Sequence, residues 1–114
     1  MPNAREKGKR GELELAQLLR GKGYDAHRSA QYCGKTGAAA DVVGVPGVHI
    51  ECKRVERLNL YKAMEQAARD SAAAGKGEIP VVVHRRNGQA WLITLGLEDF
   101  LDQWGGRYNG APPL

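Results

Sequence analysis

The stretch from Asp41 to Lys53 reads as two short apolar runs hinged on a turn. Asp41 opens Asp41-Val42-Val43-Gly44, Val45-Pro46-Gly47 follows, and Val48-His49-Ile50-Glu51-Cys52-Lys53 completes the unit. Side chains alternate faces along a strand, so Val48, Ile50 and Cys52 point one way while Glu51 and Lys53 point the other. A Pro-Gly pair favours a reversing turn, and a hairpin closing there brings Asp41 towards Glu51. Two carboxylates and an ammonium gathered at a strand edge suit a hard divalent cation and a water beside a phosphate. The leading expectation from these residues is a metal-dependent nuclease.

The rest of the chain supplies elements around this hairpin. Leu15, Leu18 and Leu19, with Leu13 flanking, predict a helix over Ala4–Lys22 that stops at Gly21-Lys22-Gly23. Gly8 and Gly11 weaken its first turns, where a basic arm is expected. A short strand is expected around Tyr24–Arg28 and a loop over Ser29–Ala39. Leu58–Ala74 carries a stripe of Leu60, Met64, Ala67, Ala68 and Ser71, which predicts a second helix ended by Gly75-Lys76-Gly77. Ile79–His84 and Ala90–Leu95 read as strands joined through Arg85-Arg86-Asn87-Gly88, and Leu97–Trp104 as a closing helix. The expected fold is α/β in the order αβββαββα, with a mixed central sheet. Residues 1–104 are expected to form one domain, and residues 105–114 a loose or dimer-contacting tail.

Charge bears on the partner. The net charge is +4, and the excess sits in residues 1–57, with 11 Lys+Arg against 7 Asp+Glu; residues 58–114 hold 6 of each. A cation bound at the acidic site would leave that half still more positive, a field that favours a polyanion such as nucleic acid. Arg5, Lys7, Lys9, Arg10, Arg28, Lys35, Arg54 and Arg57 are the candidates for gripping phosphates. No apolar run is long enough to span a membrane, and the basic start has no hydrophobic signal core, so the cytoplasm is the expected compartment. Cys33 and Cys52, the two cysteines, make neither a disulfide framework nor a zinc knuckle. His27, His49 and His84 are scattered and are expected to be satisfied or exposed. Gly34-Lys35-Thr36 lacks the glycine five residues earlier that a nucleotide-binding P-loop needs. Trp91 and Trp104 fall in apolar segments and are expected to pack rather than to stack on bases.

A Glu-x-Lys pair on a strand's outer face is common and usually solvated. Here it is joined by Asp41 across the turn and by Glu12 on the preceding helix. Glu12, Leu15 and Leu19 fall at i, i+3 and i+7, which puts Glu12 along the buried stripe, where a carboxylate needs a partner. Glu14, about 200° further round, is expected to be solvated. Asp41 and Glu51 would hold the ion, and the backbone carbonyl of Cys52 would add a third oxygen. Lys53 is placed to orient the attacking water and to stabilise charge on the phosphate.

The combination of Glu12 on a helix, then Asp41, then Glu51-x-Lys53, resembles the PD-(D/E)xK nuclease superfamily. The nearer likeness is to archaeal-type Holliday-junction resolvases, over about the first 70 residues. It is carried by Lys9-Arg10-Gly11-Glu12-Leu13-Glu14-Leu15, Gly23-Tyr24, Arg28-Ser29-Ala30, Ala40-Asp41-Val42-Val43 and Ile50-Glu51-Cys52-Lys53. The resemblance implies a magnesium-dependent endonuclease, with Mn2+ able to substitute, acting as a homodimer on branched or four-way DNA. Glu12, Asp41, Glu51 and Lys53 would be its catalytic set, Glu12 reaching the metal through a water, with Ser29 and Gln66 in support. Ala40 stands where the superfamily name has proline, and the Gln31–Ala39 loop departs from the resolvase pattern. The alternatives are a related nuclease on duplexes, flaps or ends, and a non-catalytic DNA-binding module on the same fold.

Overall fold

Strand β3 (Val48–Arg54) is the axis on which the other elements are laid. The protein, a computed structural model, is described over residues 4–29 and 39–104, the side chains of Ala4, Arg5 and Trp104 excepted. Along the chain come α1 (Ala4–Gly21), β1 (His27–Arg28), β2 (Val42–Val43), β3, α2 (Leu60–Ala74), β4 (Ile79–Arg85), β5 (Leu92–Leu95) and α3 (Leu97–Trp104). The expected order is therefore present. The five strands form one mixed sheet in the order β1-β2-β3-β4-β5, with β3 and β4 parallel and the other pairs antiparallel. A parallel pair needs a crossover, and α2 supplies it.

The hairpin closes as its sequence dictates. Gly47 has φ +84°, the left-handed value that the third position of a turn following Pro46 requires and that a side chain would resist. Val42 then faces Ile50 across the β2–β3 ladder.

The two faces of the sheet are covered differently. Leu15 and Ala16 of α1 pack with Val42, Ile50, Cys52, Val81 and Val83 in the larger core. On the other side Ala63 and Ala67 of α2 close on Val82, and the small residues let that helix approach. Losing a side chain such as Leu15, which is 2% exposed, costs about 2–5 kcal/mol. Gly11 is buried against β3: a Cβ there would sit 2.6 Å from the Cβ of Arg54. This glycine is thus a packing requirement, not the weakness in the helix that propensity suggests, and α1 runs regularly from Ala4.

Several expectations are corrected at the level of single residues. Leu13 and Leu18 are exposed, and Ala16 takes the buried place beside Leu15. In α2 the buried stripe is Ala63, Ala67 and Ser71, with Ala68 outside it, and the helix starts at Leu60 because the Asn59 side chain caps it by accepting from the Lys62 amide. The first strand is shorter than Tyr24–Arg28 because the Tyr24 amide is committed to the Leu19 carbonyl at the end of α1. Strand β5 starts at Leu92, since the turn is closed by Gln89 N–H on Arg86 and the last ladder pair is His84 with Leu92. The expectations for positions 30–38 of the loop, for Cys33 and for residues 105–114 lie outside the described residues. No described helix is long and apolar enough to cross a membrane.

Candidate active site

Asp41 is fixed at both ends of its residue. Its amide donates to the Ile50 carbonyl at 2.8 Å, and its carboxylate Oδ2 accepts from the Cys52 amide at 2.8 Å. The side chain therefore lies across β3 on the same side as Glu51. Glu51 is only 2% exposed. Alternation alone makes its face the sheet's outer one; instead α2 covers it, because the β3–β4 crossover lays that helix over both strands. Burial, the Asp41 charge and contact with Asp70 together push the Glu51 carboxyl up to about 9. Lys53 Nζ donates to Gln66 Oε1 at 3.2 Å. Gln66 and Asp70 are four residues apart on α2 and so share a face, matching Lys53 and Glu51 two residues apart on β3.

Glu12 reaches the same place from α1. Its Oε1 accepts from Arg28 Nε at 2.7 Å. Burial and the Asp41 charge raise the Glu12 carboxyl above the ordinary range, against the opposing pull of Arg28 and Lys53. Glu12, Asp41, Glu51, Lys53 and Gln66 all line one cleft of about 310 Å³, which Lys7 and Arg54 also border. Cys52 lines it too, but burial first and the neighbouring acids second push its thiol up to about 12, so it is no nucleophile at neutral pH.

The supporting residues divide. Ser29 donates its amide to the Asp41 carbonyl at 3.0 Å, yet it lines a separate cleft. Of the basic candidates, Arg28 is paired with Glu12, Lys7 lies 3.9 Å from Glu56, and Arg54 bonds Asn87 at 2.7 Å. Lys9, Arg10 and Arg57 are exposed. Lys35 and the Arg5 side chain lie outside the described residues. Glu14 is not simply solvated, since it stands 3.2 Å from Arg85 and 3.8 Å from Arg54. Trp91 packs against the larger core, with the Arg85 guanidinium 5.8 Å above its ring.

Two residues escaped the sequence. His49 is 1% exposed with its Nε2 3.6 Å from Glu51 and without a hydrogen-bond partner, so it is neither satisfied nor exposed as expected. Asp70 completes a group with His49 and Glu51 whose ligand atoms lie within 4.8 Å of one another. His49 has the same strand parity as Glu51 and Lys53, which was the available signal; Asp70 offered one through its i+4 relation to Gln66.

A mixed five-stranded sheet flanked by helices, with Asp41, Glu51 and Lys53 at the β2–β3 hairpin and Glu12 beside them, defines the PD-(D/E)xK superfamily and its restriction-endonuclease-like fold. Residues 3–109 match the family described as "Phage putative PDDEXK endonuclease", and the chain belongs to that family of endonucleases. Among solved structures it is similar to Hjc, a Holliday junction resolvase from the archaeal hyperthermophile Archaeoglobus fulgidus, at 27% identity and a TM-score of 0.58, over 78% of this chain and 72% of that one. No curated protein matches it.

Proposed function

We propose that this endonuclease hydrolyses phosphodiester bonds in branched DNA with Mg2+, as a homodimer, with Glu12, Asp41, Glu51 and Lys53 as its catalytic set. The observation that carries the reading is the single cleft onto which these four side chains converge. The donor set fits a hard cation: burial first, and then the Asp41 charge beside it, raise the Glu51 carboxyl, and a divalent ion held by Asp41 and Glu51 would offset both. Asp41, Glu51 and the Cys52 carbonyl would hold it, with Glu12 acting through a water. When bound, Mg2+ polarises the phosphate and lowers the pKa of a coordinated water.

The chain's own residues do the remainder. Lys53, held by Gln66, orients the nucleophilic water and offsets charge gathering on the phosphate oxygens. Asp41, anchored on the Cys52 amide, is held beside Glu51 in the cleft. Lys7, Lys9, Arg10, Arg54 and Arg57 supply phosphate contacts that position the substrate without reading bases. Branch preference then comes from where two such sites sit in a dimer. A second copy suits the exposed apolar surface of Leu92, Ile93, Leu97, Phe100 and Leu101 at the far edge of the sheet. A pure binding module has no use for buried carboxylates facing a polyanion.

One gel series tests the reading: four-way junction, flap, duplex and single strand, each with and without Mg2+. Junction cleavage that needs Mg2+ and exceeds duplex cleavage is the expected result. Equal rates on junction and duplex favour a duplex, flap or end nuclease, and binding without cleavage favours the non-catalytic module.

A further inference from the structure

We infer that His49, Glu51 and Asp70 form a second cation site, distinct from the Asp41 side of Glu51, that takes a borderline metal such as Mn2+ or Zn2+. The first observation is the geometry. One histidine nitrogen and two carboxylates lie within 4.8 Å of one another, on β3 and α2. Three ligands about 2.1 Å from a common ion stand about 3–3.6 Å apart, a spacing that His49 and Glu51 already meet at 3.6 Å, so the group needs to draw in by about 1 Å or less.

The second observation is independent of the acids. His49 Nε2 is buried, faces Glu51 at 3.6 Å and has no hydrogen-bond partner. A buried imidazole nitrogen without a partner is rare in a folded protein, and an ion in line with it satisfies it. Imidazole also selects the metal: Mg2+ prefers an all-oxygen shell, whereas a nitrogen with two carboxylates suits Mn2+, Zn2+ or Co2+. Two of the three residues border open clefts of about 310 Å³ each, His49 the one with Ala40, Val45, Ala74, Lys76 and Glu78, and Glu51 the one with Asp41 and Lys53. Glu51 meets both Asp41 and Asp70, and it is Asp70 that falls with His49 in the group within 4.8 Å. The site shares Glu51 with the proposed catalytic pair but does not depend on cleavage.

The test loads the full chain with Mn2+ alone and reads it by pulsed electron paramagnetic resonance, which detects coupling to a ligating nitrogen, alongside calorimetric titration. Expected are two Mn2+ per chain, one of them nitrogen-coupled. In His49→Gln and Asp70→Asn the coupled ion weakens by about tenfold or more, while Asp41→Asn retains it. Asp70 is half-buried on a helix, so D70N decides the matter should H49Q not fold. Wild-type protein without nitrogen coupling, or coupling unchanged in D70N, overturns the proposal. Coupling that persists in a chain with no Mg2+-dependent cleavage leaves this site standing and sinks the nuclease reading instead.

Discussion

The Asp41 carboxylate is tied to the backbone of Cys52, the residue between Glu51 and Lys53, by a 2.8 Å hydrogen bond. One oxygen is thereby engaged in holding the hairpin in register, while the carboxylate also meets Glu51. Together with the Asp41 amide's bond to the Ile50 carbonyl, this bond makes two sequence-distant acids neighbours, since both partners belong to the strand that carries Glu51.

Asp41→Asn separates those two duties. Asparagine keeps an oxygen that accepts from Cys52, so the fold should survive, but the anionic ligand is gone. Metal-dependent cleavage should fall beyond the ~100-fold that the loss of an outer partner of a metal ligand costs. DNA binding in Ca2+ or without metal should stay within a few-fold. Single-turnover cleavage and a binding titration on the same junction check both; unchanged cleavage removes Asp41 from the metal assignment.

Glu51 makes stability pH-dependent. Its carboxyl ionises near 4.5 in the unfolded chain but is held protonated in the fold until about 9. Between those values the folded chain binds the extra proton, so metal-free stability falls as pH rises through that window. A divalent cation replaces the proton, and its stabilising effect should be larger at pH 8 than at pH 5. Melting curves across pH, with and without Mg2+, check this. Glu51→Gln should flatten the metal-free profile, and a profile as steep as wild type would assign the effect to another group.

Lys53 and Gln66 should differ in kind. Lys53→Ala removes the group that orients water and should lower the cleavage rate by about 10²–10⁴-fold. Gln66→Ala leaves the ammonium in place but releases it from its 3.2 Å anchor, so a smaller loss is expected. Rates under saturating enzyme separate the two, and a larger loss for Gln66 would mean that it meets the phosphate itself.

Strand parity and a Pro-Gly turn were enough to place Asp41, Glu51 and Lys53 together, because the hairpin is local and its pattern has period two. Glu12 was legible from its helical spacing to Leu15. What lay beyond reach depended on how distant elements pack. Nothing local says that α2 will cover the Glu51 face, so the burial of Glu51 and His49 and the arrival of Asp70 could not be read. The pairing of Glu14 with Arg85 is equally non-local, and the buried places of Ala16 and Ala63 follow from how close each helix comes to the sheet. Propensity misled at Gly11, where a tertiary contact overrides it.

That contact gives a stability test within one helix. Propensity treats Gly8 and Gly11 alike, and alanine at either should gain about 0.5–1 kcal/mol. At Gly8 nothing lies within 4 Å of the added Cβ, so Gly8→Ala should stabilise by that amount. At Gly11 the new carbon meets Arg54 Cβ at 2.6 Å, the root of a side chain and not its flexible tip, so β3 or α1 must shift. Gly11→Ala should therefore destabilise by about 1–3 kcal/mol. Because Arg54 borders the cleft, the shift should also reduce cleavage. Urea unfolding of the two variants gives the comparison: opposite signs support the close α1–β3 approach, and equal gains would mean that α1 stands further from the sheet.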